Sequence, residues 1–171
     1  MRFLFVNIII FFLFTNFSEA DNIRFIDVNY IVNNSISGKN LNLMIEKKNK
    51  KITSELKTLS KKLEEKKNKI VSQKNILKKE ELDNLVKTYE IEVQKFNESR
   101  KKMQDEFNSF SIKSKKKIID LLNPLITNYL KKESIQMLLQ KDKIVFGNDT
   151  LDITKEILKL FNDKHKKIQF E

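Results

Sequence analysis

The side chains that could carry chemistry in this 171-residue chain are few and poorly placed for catalysis. The only histidine, His165, lies among lysines near the C-terminus, and the sequence contains no cysteine that could pair with it. Carboxylate pairs such as Glu64 and Glu65, or Asp105 and Glu106, fall on lysine-rich stretches, where ordinary ionised side chains are expected rather than a general acid and base. We therefore expect no enzyme, no cofactor and no metal site, and we interpret His165 as a solvated residue.

Lysine is the one chemical group that the chain supplies in quantity. The net charge is +11, and residues 39–79 alone hold fourteen lysines against four acidic residues, whereas residues 80–133 hold eleven basic residues against ten acidic ones. Such a concentrated charge attracts anionic chains or membrane surfaces. The alternative is that each lysine only solvates a helix surface. Nucleic acid is disfavoured as a partner, because the basic segment lacks arginine for bidentate base contacts.

The stretch that positions these lysines runs from Lys39 to Glu133 and contains one proline and no glycine. Apolar residues recur every three or four positions, which predicts long helix. In the first half, the seam residues are Ile45, Ile52, Leu56, Leu59, Leu63, Ile70 and Leu77, with polar interruptions at Asn49, Lys66 and Gln73. In the second half, they are Leu82, Val86, Tyr89, Val93, Phe96, Met103, Phe107 and Phe110, followed by a stutter to Ile118, Leu121, Leu122, Leu125 and Tyr129.

The apolar pattern is weakest between Asn75 and Glu81, which predicts that the chain folds back there. Two antiparallel helices of about 57 and 66 Å would result at 1.5 Å per residue. The alternative is one continuous rod that dimerises through the same stripe, since no glycine marks the turn. The aromatic residues Tyr89, Phe96, Phe107 and Phe110 are expected in the hairpin seam, with a binding surface as their alternative role.

The N-terminus has the pattern of a secretory signal. Met1 and Arg2 precede a twelve-residue apolar block, and the small residues Ser18 and Ala20 follow at the positions that a signal peptidase reads. We expect cleavage after Ala20. An uncleaved anchor is the alternative, but the block is shorter than the ~20 residues that a membrane span needs.

The residues outside the arm predict a small β-containing body. Ile23–Val28 and Met137–Leu139 are β-prone, and a further apolar triplet, Ile144–Phe146, stands at hairpin spacing from the second. We expect these three strands to join one sheet, since a returning arm brings the ends together. Asp152 or Thr154 is expected to cap a final helix, and the tail from Asp163 is expected to fray. The resulting division is 1–20 signal peptide, 21–38 and 134–171 body, and 39–133 arm.

These 56 body residues are few for a comfortable core, which favours association with other copies. Pro124 falls inside the second long helix, so a kink is expected there.

Several segments together resemble the Skp/OmpH family of periplasmic chaperones. They are Phe25-Ile26-Asp27-Val28, Ile31-Val32-Asn33-Asn34-Ser35, Gly38-Lys39, the long charged hairpin, Leu138-Leu139, Ile144-Val145-Phe146 and Asp152-Ile153-Thr154-Lys155-Glu156-Ile157-Leu158. The resemblance implies a mainly α fold in which a coiled-coil tentacle, a long antiparallel helical hairpin, stands on a small β-rich oligomerisation body. This sequence departs from the family pattern at Lys131 to Ile135, where the second long helix ends without the usual glycine.

The function that the resemblance implies is an ATP-independent holdase of the periplasm, a homotrimer that holds unfolded outer-membrane proteins between its arms. An anionic membrane surface is a further candidate partner. Candidate client-binding residues are Lys57, Lys61, Lys62, Lys66 and Lys69. Candidate residues of the oligomer body are Ile23, Phe25, Ile26, Val28, Leu138, Ile144, Phe146, Leu158 and Phe161. The alternative function is a structural or tethering coiled coil of the cell envelope, for which a strand at each terminus has little use.

Overall fold

The computed structural model describes residues 22–170, so the predicted signal peptide lies outside the described residues. In chain order the elements are β1 (Ile23–Ile26), α1 (Val28–Asn34), α2 (Ile36–Gln73), α3 (Lys79–Lys132), β2 (Met137–Gln140), two single 3-10 turns (Lys141–Lys143 and Asp149–Leu151) and α4 (Thr154–Lys164). Helices α2 and α3 pack side by side along their length and are joined by residues 74–78. The predicted hairpin is therefore confirmed, and the continuous rod is wrong.

The short helix α1 and the start of α2 are set by two side-chain caps. Asp27 accepts a hydrogen bond from the backbone N–H of Tyr30 at 2.7 Å, and Ser35 accepts one from Gly38 at 3.0 Å. Each cap satisfies a backbone donor that has no partner within its helix. Helix α1 follows β1 directly and buries Ile31 and Val32.

The two strands are parallel, and the whole arm is the connection between them. Ile23 pairs with Met137 and Ile26 with Gln140, while the other edge of β1 is occupied by Asp152 and the following residue, whose N–H bonds to the carbonyl of Phe25 at 3.0 Å. The predicted strand Ile144–Phe146 is wrong. The place beside β1 is already taken, and the 3-10 turn at 141–143 diverts the chain before it can pair.

The buried core lies where the foot of the hairpin meets the body. All four helices and β1 contribute to it. Its buried apolar members are Ile26, Ile31, Val32, Leu41, Phe110, Ile118, Leu122, Leu125, Ile153, Ile157 and Phe161. Five of these eleven residues belong to the two long helices. The core is therefore not confined to the 56 residues outside the arm.

The tail after α4 packs against the protein, so the predicted fraying is wrong. Ile168 and Phe170 lie against the core cluster, and the His165 ring is centred 5.1 Å from that of Phe161. The interpretation of His165 as fully solvated is corrected accordingly. Pro124 lies inside helix α3, which continues to Lys132. The kink expected at this proline stays a prediction.

Helix α3 ends in a Schellman motif with serine in the place of glycine. Ser134 has a φ of 52°, its N–H bonds to the carbonyl of Lys131, and the N–H of Ile135 bonds to that of Leu130 at 2.9 Å. Leu130 and Ile135, the positions that are commonly apolar in this motif, both pack against the core. The missing glycine noted in the sequence thus leaves a serine in a left-handed conformation.

We predict that Ser134→Gly stabilises the protein by about 1 kcal/mol, because glycine adopts a positive φ without the steric cost of a Cβ. Urea unfolding at one protein concentration would measure this. The matched control is Glu133→Gly, since Glu133 has a φ of −90° and should lose stability on the same change. A Ser134→Gly variant less stable than the parent would contradict this account of the helix end.

Gly38 is needed because two backbone segments approach closely. A Cβ at this position would lie 1.8 Å from the carbonyl oxygen of Val32 and 2.8 Å from the Ser35 hydroxyl. The first of these atoms is backbone and cannot rotate away. Any side chain here would push α1 and α2 apart.

We therefore predict that Gly38→Ala destabilises the fold by about 3 kcal/mol, the upper range of overpacking. Alanine has a higher helix propensity than glycine, which alone would stabilise α2. A loss of stability would therefore identify the steric clash as the dominant effect. The control is Asn42→Ala, an exposed position one turn further along α2. An unchanged urea midpoint for Gly38→Ala would show that α1 and α2 are less closely packed than described.

Candidate functional site

The arm formed by α2 and α3 presents a long, mostly exposed surface. Its seam side chains are only half-buried over most of the length, for example Leu59, Leu63 and Phe96. Burial becomes complete only near the foot, at Phe110, where the Nζ atom of Lys48 lies 4.5 Å from the ring centroid. The arm therefore leaves apolar surface accessible between its helices as well as lysine charge outside them.

The five candidate client-binding lysines do not occupy one equivalent environment. Lys66 lies in the seam and its Nζ atom is 2.5 Å from a carboxylate oxygen of Glu92 on α3, which explains the polar interruption in the apolar repeat. Lys62 and Lys69 line open grooves between the helices. Lys61 lies 3.9 Å from Glu65 on the same exposed face. Lys57 is exposed.

The grooves beside these lysines are lined by apolar and aromatic side chains. Near the tip, Lys69 adjoins Ile70, Leu85 and Tyr89. In the next groove, further from the tip, Lys62 lies beside Leu59, Leu63 and Phe96. A chain that contacts the arm would meet positive charge and apolar surface together.

The tip carries apolar side chains with little cover. Ile76 is 81% exposed and Val71 is 64% exposed. Four lysines surround them in the sequence, at positions 69, 74, 78 and 79. Apolar residues are also exposed along the arm; the set comprises Ile36, Leu43, Met44, Leu85, Val86, Ile91, Ile112 and Ile119. The tip thus combines apolar surface with positive charge in the same way as the grooves.

Further apolar side chains are exposed on the body, on β2 and in the loop that follows it. Met137 and Leu139 are exposed on that strand, Val145 is fully exposed, and Phe146 is 92% exposed. We call these four residues the body edge. The consecutive apolar residues at these positions are visible in the sequence. The sequence does not show that residues 144–146 lie outside the sheet.

The nine candidate body residues divide between core and surface. Phe25, Ile26 and Phe161 are buried. Val28, Leu138 and Leu158 are half-buried against the core, and Ile23 and Ile144 are half-buried. Phe146 alone among them is exposed. The structure therefore brings most of this set together around β1, and it separates Phe146 from the rest.

An ion pair fixes the loop beside the body edge. The carboxylate of Asp152 lies 2.5 Å from the Lys141 ammonium and also accepts a hydrogen bond from the N–H of Thr154 at 2.9 Å. Burial raises the pKa of the Asp152 carboxyl, but the bonds from Lys141 and Thr154 outweigh this effect and hold the pKa below its usual range. The same bond raises the pKa of Lys141. Both groups are charged at neutral pH, so the pair holds the Lys141 turn against the end of β1.

The chemistry available in residues 22–170 is that of a binding surface. Over this range, no group of three or more histidine, aspartate and glutamate side chains is arranged to hold a metal ion. The same residues include no helix that is long and apolar enough to cross a membrane. What the geometry provides is a basic and apolar arm on a body with an uncovered apolar edge.

The fold and the surface define a class of protein in which a helical hairpin projects from a small α/β body. Residues 22–161 match the family described as outer membrane protein (OmpH-like). The chain therefore belongs to the OmpH-like family, and this membership supports a chaperone role.

Solved structures agree on the fold. A candidate outer membrane chaperone (OmpH-like) from Caulobacter crescentus CB15 superposes with a TM-score of 0.79 at 16% sequence identity, covering 88% of this chain and 89% of that one. At this identity the similarity concerns the fold alone. The comparison with curated proteins gave no significant match.

Proposed function

We propose that this protein is an ATP-independent holdase of the periplasm that binds unfolded outer-membrane proteins between the arms of a homotrimer. The observation that carries the proposal is the arm itself, where lysines and half-buried apolar side chains line the same grooves over most of its length. Membership of the OmpH-like family points to the same class of activity. The export signal expected at residues 1–20 supports the compartment.

Binding on such a surface proceeds through many weak contacts. The charge of +10 on residues 39–79 raises the local concentration of acidic segments and speeds their encounter with the arm. Apolar contacts in the grooves then hold the segment by removing its surface from water. Neither contribution depends on one client sequence, and neither needs nucleotide hydrolysis.

Association between copies is supported by the body edge, and the number three is taken from the resemblance to the Skp/OmpH family. The free side of β2 presents unpaired backbone groups beside exposed apolar side chains, an arrangement that invites pairing with another chain. Val145 and Phe146 are apolar, β-prone and nearly uncovered. A neighbouring copy that covers them would give this segment the strand pairing that the single chain does not provide.

An anionic membrane surface is proposed as a second partner of the tip. Ile76 and Val71 can enter the headgroup boundary while the neighbouring lysines remain with the anionic lipid headgroups. Each lysine near such a surface contributes roughly 1 kcal/mol.

The oligomer is tested by multi-angle light scattering on the chain from Asp21. We expect three times the chain mass for the parent, and a lower mass for Val145→Asp/Phe146→Asp, because burying unpaired charges at the body edge costs several kcal/mol. The control is Ile76→Asp, at an apolar residue of the tip that is also more than four-fifths exposed. A parent that is monomeric at micromolar concentration, or a double variant that stays trimeric, would refute this assembly.

The holdase activity is tested by the aggregation of an unfolded outer-membrane β-barrel protein without ATP. The informative variant changes Lys57, Lys61, Lys62 and Lys69 to glutamate and leaves Lys66 in place, because its ion pair with Glu92 joins the two helices. We expect slower capture and weaker binding, with the trimer intact. The matched control changes the same four lysines to arginine and should behave like the parent.

Salt separates the two contributions to binding. Exposed charges are screened over roughly 8 Å at physiological ionic strength, so capture by the parent should weaken with salt but persist through apolar contacts. If the glutamate variant suppresses aggregation as well as the parent at every salt concentration, the electrostatic part is wrong. If the parent suppresses none, the holdase proposal fails.

A further inference from the structure

The six residues from His165 to Phe170 extend the chain past the end of the family match, which stops at residue 161. They follow α4 in a non-helical conformation. Ile168 and Phe170 are half-buried against the core cluster, whereas Gln169 between them is exposed. This alternation is that of an extended segment lying along a surface with one side covered.

The end of α4 and the tail hold the first turn of α2. The side chain of Asn162 accepts a hydrogen bond from the N–H of Ile36 at 2.8 Å. The hydroxyl of Ser37, a residue that is only 1% exposed, donates to the carbonyl of His165. Backbone donors at the start of a helix have no partner within the helix, so the Asn162 bond satisfies one of them at Ile36, and the Ser37 hydroxyl ties the same turn to the tail.

The same tail also reaches α3. The Nζ atom of Lys117 donates to the carbonyl oxygen of Gln169 at 2.9 Å, and the next residue of α3, Ile118, is fully buried in the core. One short segment therefore connects the beginning of α2 to the part of α3 that lies beside it. Both attachment points lie at the foot of the arm.

A contact at the foot has a large effect on the position of the tip. From Leu41, the last buried residue of α2, to Gln73 the helix spans about 48 Å at 1.5 Å per residue. A rotation of about 10° at the foot would thus displace the tip by roughly 8 Å. Few side chains beyond the foot oppose such a rotation, because the seam there is half-buried and joins α2 only to α3.

We propose that residues 165–170 form a C-terminal strap that clamps the first turn of α2 to α3 and sets the stiffness of the arm on the body. Detachment of the strap loosens the arm while the body stays folded. The strap is separable because all eleven buried members of the core cluster lie outside it, and it adds only two half-buried apolar side chains and the His165 ring beside Phe161. The proposal goes beyond the holdase function and does not depend on it.

The first test is hydrogen exchange on the full chain. The variant Ile168→Ser/Phe170→Ser should exchange about tenfold faster at 39–45 and 114–121, with residues 23–32 unchanged, because only the foot is loosened. The matched control is Gln169→Ser, which alters the exposed side chain between the two positions. Faster exchange throughout the chain would show that the tail is part of the core, and unchanged exchange would show that it holds nothing.

The second test measures the arm directly. The sequence has no cysteine, so spin labels can be placed at Asn29→Cys on the body and Ser54→Cys on the arm, with excess unlabelled chain to suppress distances between copies. We expect a broader distance distribution in the double variant and in Lys117→Met, which removes only the bond to Gln169 and keeps the apolar contacts. Distributions as narrow as the parent's in both variants would overturn the proposal. Neither readout requires a client, so a failed holdase assay leaves this result independent.

Discussion

The structure depends on burial at the foot of the hairpin. Two helices of 38 and 54 residues share a seam that is too narrow to bury its side chains, so the arm cannot be held in place by its own contacts. The exception is the region of α3 from Phe110 to Leu125, where α1, α4 and the start of α2 converge on a fully buried cluster. Apolar burial of this kind is worth roughly 25 cal/mol per Å², and it is concentrated at one end of a long molecule.

That concentration explains which parts of the fold the sequence predicts. The hairpin follows from a sustained apolar period and its weakening near residue 77, because periodicity is a local property. The body does not follow in the same way. Ile144–Phe146 has the composition of a strand, but the edge of β1 beside it is taken by Asp152, a pairing between distant segments that no local pattern records. The packing of the tail against the core is also not predicted, because the alternation of Ile168 and Phe170 is its one sign in the sequence.

The sequence predicts a basic binding surface on the arm, but it does not predict the environment of each residue in that surface. Charge counting along the chain locates the basic helix, and the structure leaves most of its lysines exposed. Charge counting does not reveal that Lys66 faces Glu92, because these residues are 26 apart in sequence and their ion pair depends on the register of the two helices. The exposure of the body edge could not be predicted either. Phe146 is a residue type expected in a core, and only the structure shows that its loop leaves it exposed.

An arm with a half-buried seam is well suited to binding chains of many sequences. A well-packed coiled coil would hide its apolar residues and offer only charge, whereas an open apolar groove would aggregate. Lysines at the rim of each groove prevent the second outcome, because like charge keeps the arms of separate molecules apart. Partial burial thus leaves apolar surface within reach of a client while the foot of the hairpin, where burial is complete, supplies the stability that the arm lacks.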